Sequence, residues 1–219
     1  MSFDEIIQAV DDFVWGIPLI VLILGAGIYL SVRLLFIPIR KLGRAFQYMF
    51  HKEEGAGEVS SFGALCTALS ATIGTGNIVG VATAITAGGP GALFWMWIAA
   101  FFGMATKYAE GLLAVKYRKV YADGHTLGGP FYYIENGLGH RWKSLAVIFA
   151  VLGMCVGLFG IGTFSQVNSI TDAVGNIFTQ APTFTLFGNE YSLAVVIAGI
   201  LLTVVVGLVL LGGVKRIAK

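Results

Sequence analysis

The stretch Ala71–Gly80, "ATIGTGNIVG", places three glycines, two threonines and an asparagine inside a 48-residue run, Val59 to Thr106, that contains no Asp, Glu, Lys, Arg or His. Gly74-Thr75-Gly76 opens like the dinucleotide fingerprint G-x-G-x-x-G, whose glycines bring phosphate onto a helix N-terminus. The fingerprint then fails, because Val79 stands where its last glycine belongs. No alternating strand precedes the motif, and no acidic residue follows before Glu110, whereas a dinucleotide fold needs one about 20 residues on. Phosphate binding is set aside, and the stretch must be read from its apolar surroundings.

Those surroundings define the class. With 57% hydrophobic and 12% charged residues and a mean hydropathy of +0.82, the chain lies far from the usual soluble composition, about a quarter charged. It reads as an integral membrane protein. Four charge-free runs, Phe13 to Val32, Val59 to Thr106, Ser144 to Thr171 and Tyr191 to Val214, each meet the roughly 20 residues needed to cross a bilayer. The longest divides at "GGPG", Gly88 to Gly91, where proline and adjacent glycines end a helix. Five spans are expected, at about 13–36, 62–87, 91–116, 144–173 and 191–213. The first is read as a retained helix: its flank "MSFDEIIQAVDDF" is acidic, unlike the basic start of a signal peptide, and no small-residue cleavage site follows.

Lysine and arginine set the expected orientation. Arg33, Arg40, Lys41, Arg44 and Lys52 follow span one, Lys116, Arg118, Lys119, Arg141 and Lys143 follow span three, and Lys215, Arg216 and Lys219 follow span five. Segments 1–12, 88–91 and 174–190 hold none. This places the N-terminus outside and residue 219 in the cytoplasm of a multi-pass protein of the cell membrane. The net charge of +2 resides in those cytoplasmic cations, so the lipid bilayer is the expected partner and nucleic acid is not.

Several features within the spans carry bland readings. Cys66 and Cys155 have no ligand-like spacing and read as packing residues. "RKLGRAFQYMF", Arg40 to Phe50, reads either as an amphipathic helix along the cytoplasmic interface or as a solvated linker. Lys107 and Glu110, three residues apart, can pair on one helical face as an anchoring or structural ion pair. Gly76 with Gly80, and Gly153 with Gly157, have the G-x-x-x-G spacing that brings membrane helices together.

Packing leaves Thr72, Thr75 and Asn77 unexplained. Glycines mixed with hydrogen-bonding side chains halfway along a span suit a helix that unwinds at mid-membrane, and unwound backbone there must be buried in protein or line a cavity. The second half-helix, starting near Gly76 to Ile78, would offer free N–H groups to a carboxylate. The first, ending near Ala71 to Ile73, would offer free carbonyls to a small cation such as sodium. An intramembrane enzyme lacks its chemistry, because the spans are read as carrying no His, no Asp, no paired carboxylates and no metal-ligand cluster.

"GGPGALFWMWIAAFFG", Gly88 to Gly103, resembles the signature of the alanine or glycine:cation symporter family, the sodium:alanine symporters. "GTGNIVGVATAI" and "GGPFYYIENGLG", Gly128 to Gly139, resemble further segments of that family, and the likeness covers essentially the whole chain. The resemblance implies an all-α integral membrane protein with a leucine-transporter-like inverted-repeat fold. On that mapping residues 1–57 are one extra N-terminal helix with its cytoplasmic connector. Residues 58–219 are the first four core helices, so the chain, ending at "GGVKRIAK", reads as an N-terminal portion whose C-terminal half would be its partner. The implied function is sodium-coupled symport of a small neutral amino acid, alanine or glycine, with sodium as coupling ion and no cofactor. The alternative is a membrane fragment without transport activity.

Carried over, the resemblance implies that backbone amides near Thr72, Thr75 and Gly76 hold the substrate carboxylate, and that carbonyls around Ser70 and Ile73 contribute to the sodium site. Asn77 would support the substrate or the break itself. In "TFSQVNS" of span four, Gln166 and Asn168 are buried amides in need of partners. Gln166 is the expected direct substrate contact, with Asn168 also assigned to the substrate, beside a small pocket shaped by Phe164 or nearby apolar residues; the alternative is that both amides only hold helices together.

Overall fold

The computed structural model describes residues 2–51, 59–122, 125–160, 162–186 and 188–213. Lys52, Lys215, Arg216, Lys219 and the boundary at 57/58 lie outside the described residues. The chain runs through α1 (Phe3–Val14), α2 (Ile17–Arg33), α3 (Ile37–Arg40), α4 (Leu42–Phe50), α5 (Ser61–Thr72), a 3-10 turn (Thr75–Asn77), α6 (Val79–Gly88) and α7 (Gly91–Lys116). It continues through the hairpin β1 (Lys119–Val120) and β2 (Thr126–Leu127), then α8 (Pro130–Leu138), a second 3-10 turn (His140–Trp142), α9 (Lys143–Leu158) and α10 (Thr163–Ile177). The hairpin β3 (Thr183–Leu186) and β4 (Asn189–Ser192) and a final helix, α11 (Leu193–Leu210), complete it. Among the described residues, Phe3–Arg33, Gly91–Lys116, His140–Ile177 and Leu193–Leu210 are long and apolar enough to cross a membrane. The pair α5 and α6, bent by 69° at its break, makes a fifth if it is one span. The chain is a helical, multi-pass membrane protein.

Three expected spans take a different form. Helix begins at Phe3 rather than near residue 13, because Ser2 and Glu5 close a reciprocal capping box and Asp4 and Glu5 occupy the positive first turn. The acidic flank is thus itself a helix, with Phe3, Ile6, Ile7 and Val10 at helical spacing, and it steps into α2 at Trp15–Gly16. Span four is two helices. Gly160 (φ 60°) and Gly162 (φ 89°) adopt left-handed backbone that other residues resist, so α9 ends before them and α10 starts after. The segment before span five forms the hairpin β3–β4, with Phe184 opposite Tyr191 and their rings 6.1 Å apart. Span three, by contrast, is α7 residue for residue, starting after Pro90 at its N-cap.

The interior is small. Ala105, Ala146 and Ser31 are nearly inaccessible, while the long apolar side chains of α2, α7, α9 and α11 face outward, as they do where hydrocarbon rather than water surrounds the helices. The tightest crossing joins α2 to α7. A Cβ on Gly27 would lie 3.0 Å from Phe102 Cβ and 3.1 Å from its carbonyl oxygen, so only glycine permits this approach. Ser31, one turn on, donates its hydroxyl to the Gly27 carbonyl at 2.7 Å and stays buried. The small-residue seam therefore lies at Gly27 and Ser31. A Cβ on Gly76, Gly80, Gly153 or Gly157 would meet nothing within 4 Å, so the G-x-x-x-G pairs seal no contact in this chain.

Beyond α7, the "GGPFYYIENGLG" segment folds back as α8. Gly128 lies so close to the Ala114 carbonyl that a Cβ would stand 3.0 Å away, and Asn136 Nδ2 donates to the Tyr117 carbonyl at 3.4 Å. Burial pushes the Tyr133 phenol up, with Glu110 adding to the shift and Lys107 opposing it.

Candidate functional site

The helix α5 starts from Ser60, whose hydroxyl accepts the Gly63 N–H at 3.1 Å, and its last regular bond runs from Ile73 N to Leu69 O at 2.8 Å. Ile73 (φ −83°, ψ 113°) and Gly74 (φ −146°, ψ −175°) are extended. The break expected between Thr72 and Gly76 is present.

Asn77 holds it. In a continuous helix the Gly74 N–H would donate to Ser70 O; here it donates to Asn77 Oδ1 at 3.0 Å, while Asn77 N donates to Gly74 O at 3.1 Å. The exchange frees the Ser70 carbonyl from its helical donor and ties the turn into a closed loop through one side chain. Thr72 turns its hydroxyl back on α5, donating to Ala68 O at 2.7 Å, so its side chain is engaged with its own helix. On the far side, Ile78 N donates to Thr75 O at 3.1 Å within the 3-10 turn before α6 begins. The N–H groups opening that turn lie at a helical N-terminal end, where the backbone dipole attracts anions. The Ile73 side chain is 66% exposed and the flank of Gly76 is open.

A second element reaches this break. Gln166, in the first turn of α10, lays its amide across Gly74: a Cβ there would sit 3.3 Å from Gln166 Nε2 and 3.5 Å from Oε1. The left-handed Gly162 sets the start of that turn and accepts from Gln166 N at 3.1 Å. Asn168 is two residues on and therefore about 200° round the helix, where its Nδ2 donates to Asp172 Oδ2 at 3.0 Å. The structure thus lays Gln166 against Gly74, within the break that Ser70, Thr72, Ile73, Thr75, Gly76 and Asn77 flank along the chain, and pairs Asn168 with Asp172; both amides, expected to be buried, are exposed. Phe164 lies against Gly160, with its side chain 75% exposed.

Asp172 corrects one expectation. It stands inside the expected span 144–173, just past the charge-free run, so span four does carry an aspartate; its spacing of four from Asn168 was the available signal. The Lys107–Glu110 pair forms at 2.9 Å, with the Lys107 side chain 83% exposed. Among the described residues no group of three or more His, Cys, Asp or Glu side chains could hold a metal ion. Carbonyl oxygens on one side of the break and N–H groups with a neutral amide on the other suit a cation and a carboxylate held side by side.

The sodium:alanine symporter family matches over residues 1–219. The chain is 57% identical to an uncharacterized transporter of Haemophilus influenzae, covering 100% of this chain and 45% of that protein. It is 47% identical to the sodium/alanine symporter AgcS of Methanococcus maripaludis, covering 100% of this chain and 46% of AgcS. The "Probable sodium/glutamine symporter GlnT" of Bacillus subtilis shares 39% identity over 99% of this chain and 42% of its own length. The chain spans less than half the length of these relatives. With a match along its whole length, the chain belongs to the sodium:alanine symporter family.

Proposed function

We propose that this chain supplies the first-repeat half of a sodium-coupled symporter for a small neutral amino acid, alanine or glycine, in the cell membrane. The observation that carries the reading is the contact of Gln166 with Gly74 at a 69° helix break whose turn is closed by Asn77. Free helix ends with a neutral amide across them, inside a charge-free segment, replace the hydration of a zwitterion and of a small cation without introducing a fixed charge. In this reading N–H groups near Thr72, Thr75 and Gly76 hold the carboxylate, with Gln166 beside them. Carbonyls around Ser70 and Ile73 supply part of the sodium shell, and Asn77 keeps the break open. Asn168 serves the substrate only after a rotation of α10; in the present arrangement it positions Asp172.

The proposed architecture is a leucine-transporter-like inverted repeat, with residues 1–57 as the extra helix and connector and 58–219 as four core helices. Alternating access needs an opposing repeat, so the 219-residue chain alone is expected to bind weakly and not to transport. The names of AgcS and GlnT support sodium coupling, and they pair it with alanine in one case and glutamine in the other. The small-substrate assignment therefore rests on the likeness to AgcS.

Uptake into proteoliposomes tests both parts. The full-length gene product should accumulate alanine or glycine only with an inward sodium gradient, and the 219-residue chain should show none. Uptake indifferent to sodium would overturn the coupling. The proposed orientation, N-terminus outside, has its own test in a background lacking Cys66 and Cys155. A cysteine replacing Thr183 should react with an impermeant thiol reagent in intact cells, and one replacing Leu127 should not.

A further inference from the structure

One face of α10 is polar along its whole length. Ser165, Asn168, Ser169, Asp172 and Asn176 fall within about 100° of one another round the helix, and Val167, Ile170, Val174 and Ile177 occupy the opposite side. Ser165, Asn168, Asp172 and Asn176 are exposed, with Ser169 half-buried. The helix nevertheless belongs to a stretch, His140–Ile177, that is apolar enough to cross a membrane. Hydrocarbon cannot cover such a face, because amides and a carboxylate in lipid lose a hydration that nothing there replaces. Protein or water remains.

Charge decides between them. A carboxylate sealed in protein needs a cationic partner, yet residues 144–214 contain no Lys, Arg or His, and the group that holds Asp172 is the neutral amide of Asn168 at 3.0 Å. The segments read as lying outside, 1–12 and 174–190, add Asp4, Glu5, Asp11, Asp12 and Glu190 and again no Lys or Arg. The polar face therefore leads from the break, where Gln166 lies, toward a side of the membrane that carries only negative side chains. We infer that this face of α10 lines a water-filled route by which the coupling cation reaches the α5–α6 break, and that Asp172 attracts the cation along it. The inference rests on the sodium-coupled reading and on the orientation proposed with it. Asp172 is six residues from Gln166, about 9 Å along the helix, so it acts through space on the cation, and a zwitterionic amino acid of zero net charge gains little from it.

Two measurements on the full-length gene product in cells test it. Asp172→Asn should raise the sodium concentration for half-maximal alanine uptake roughly two- to twentyfold, the effect of one charge at that range, and leave uptake at saturating sodium close to wild type. The difference should shrink as ionic strength is raised with choline chloride, and Asp172→Glu should behave as wild type. The second measurement needs no transport. In a background without other cysteines, Ser165→Cys, Ser169→Cys and Asn176→Cys should react with impermeant methanethiosulfonates added outside, faster with a cationic reagent than with an anionic one, and Asp172→Asn should reduce that preference. Val167→Cys and Val174→Cys should stay unlabelled. Labelling no greater on the polar face than at Val167 and Val174 overturns the inference, as does an unchanged sodium requirement in Asp172→Asn. A shift in that requirement that ionic strength does not touch would make Asp172 structural and overturns it too. Wild-type uptake indifferent to sodium would instead defeat the coupling on which the inference rests, and the labelling would still decide whether the face is wet.

Discussion

Two clusters of small residues lie in this chain, and they do opposite things. At the α2–α7 crossing, Gly27 lets two continuous helices touch: a Cβ there would strike Phe102 backbone and side chain, and Ser31 buries its hydroxyl against a helical carbonyl. At the α5–α6 break, the flank of Gly76 is open, helical hydrogen bonds are given up, and a side chain, Asn77, takes over a backbone role. The first cluster is sealed and saturated; the second is open and holds backbone groups in reserve. Glycine spacing does not distinguish them, since the G-x-x-x-G pair lies at the open site. What distinguishes them is the company of the glycines, Phe102 and one serine bonded to its own helix in the first case, and Thr72, Thr75 and Asn77 in the second.

The contrast can be broken by substitution, with amino acid binding measured on the full-length protein. The largest effect is expected from Gly76→Leu. Its side chain would enter open space, so thermal stability should change little, while amino acid binding should fall at least about 100-fold, because the leucine fills the volume assigned to the carboxylate. Near-normal binding by this variant would reduce the break to an irregular packing element.

Gly27→Leu should behave in the inverse way. Overpacking the seam is expected to cost about 1–3 kcal/mol or more of stability, seen as a lower melting temperature in detergent, with binding retained by the fraction that folds. A stable Gly27→Leu protein would show that the crossing loosens without penalty and that the seam is not closed.

Asn77→Ala and Gln166→Ala follow, each losing one hydrogen-bonding group that bound substrate would bury, at roughly 1–3 kcal/mol, or about 5- to 150-fold in affinity. Gly74→Ala sharpens the assignment. Its methyl would press on the Gln166 amide at 3.3–3.5 Å, so it should impair binding by displacing that side chain, and its combination with Gln166→Ala should be less than additive. Strict additivity would separate the two residues.

Lys107→Ala should do least. The lysine is exposed and its ion pair with Glu110 is of the kind worth about 0–1 kcal/mol, so binding should change no more than about fivefold. A loss exceeding that of Gln166→Ala would move the site from the break toward α7.

Much of this was legible along the chain because it depends on local properties. Charge-free length marked where apolar helices lie, though not where the first begins or that the fourth divides, and Pro90 with its neighbouring glycines marked the start of α7 to the residue. The break between Thr72 and Gly76 was legible because losing helical hydrogen bonds is a decision made within five residues. Two further local signals lie in the chain: the capping box at Ser2 and Glu5, within a flank whose acidity also distinguishes it from a signal peptide, and Asp172, just past the end of an apolar run. The division of span four at Gly160 and Gly162 was local too, but glycine alone does not announce a left-handed backbone.

The sequence by itself determined a helical membrane protein with an interrupted second span, since apolar length and helix-breaking residues act over a turn or two of chain. Only the tertiary structure decided that Gln166 and not Asn168 meets the break, and that Gly27 rather than Gly76 seals a crossing. Such choices depend on the rotation and tilt of each helix about its own axis. Rotation is set by the fit of side chains more than 70 residues apart, Gly27 against Phe102 and Gly74 against Gln166, and no local pattern encodes that fit.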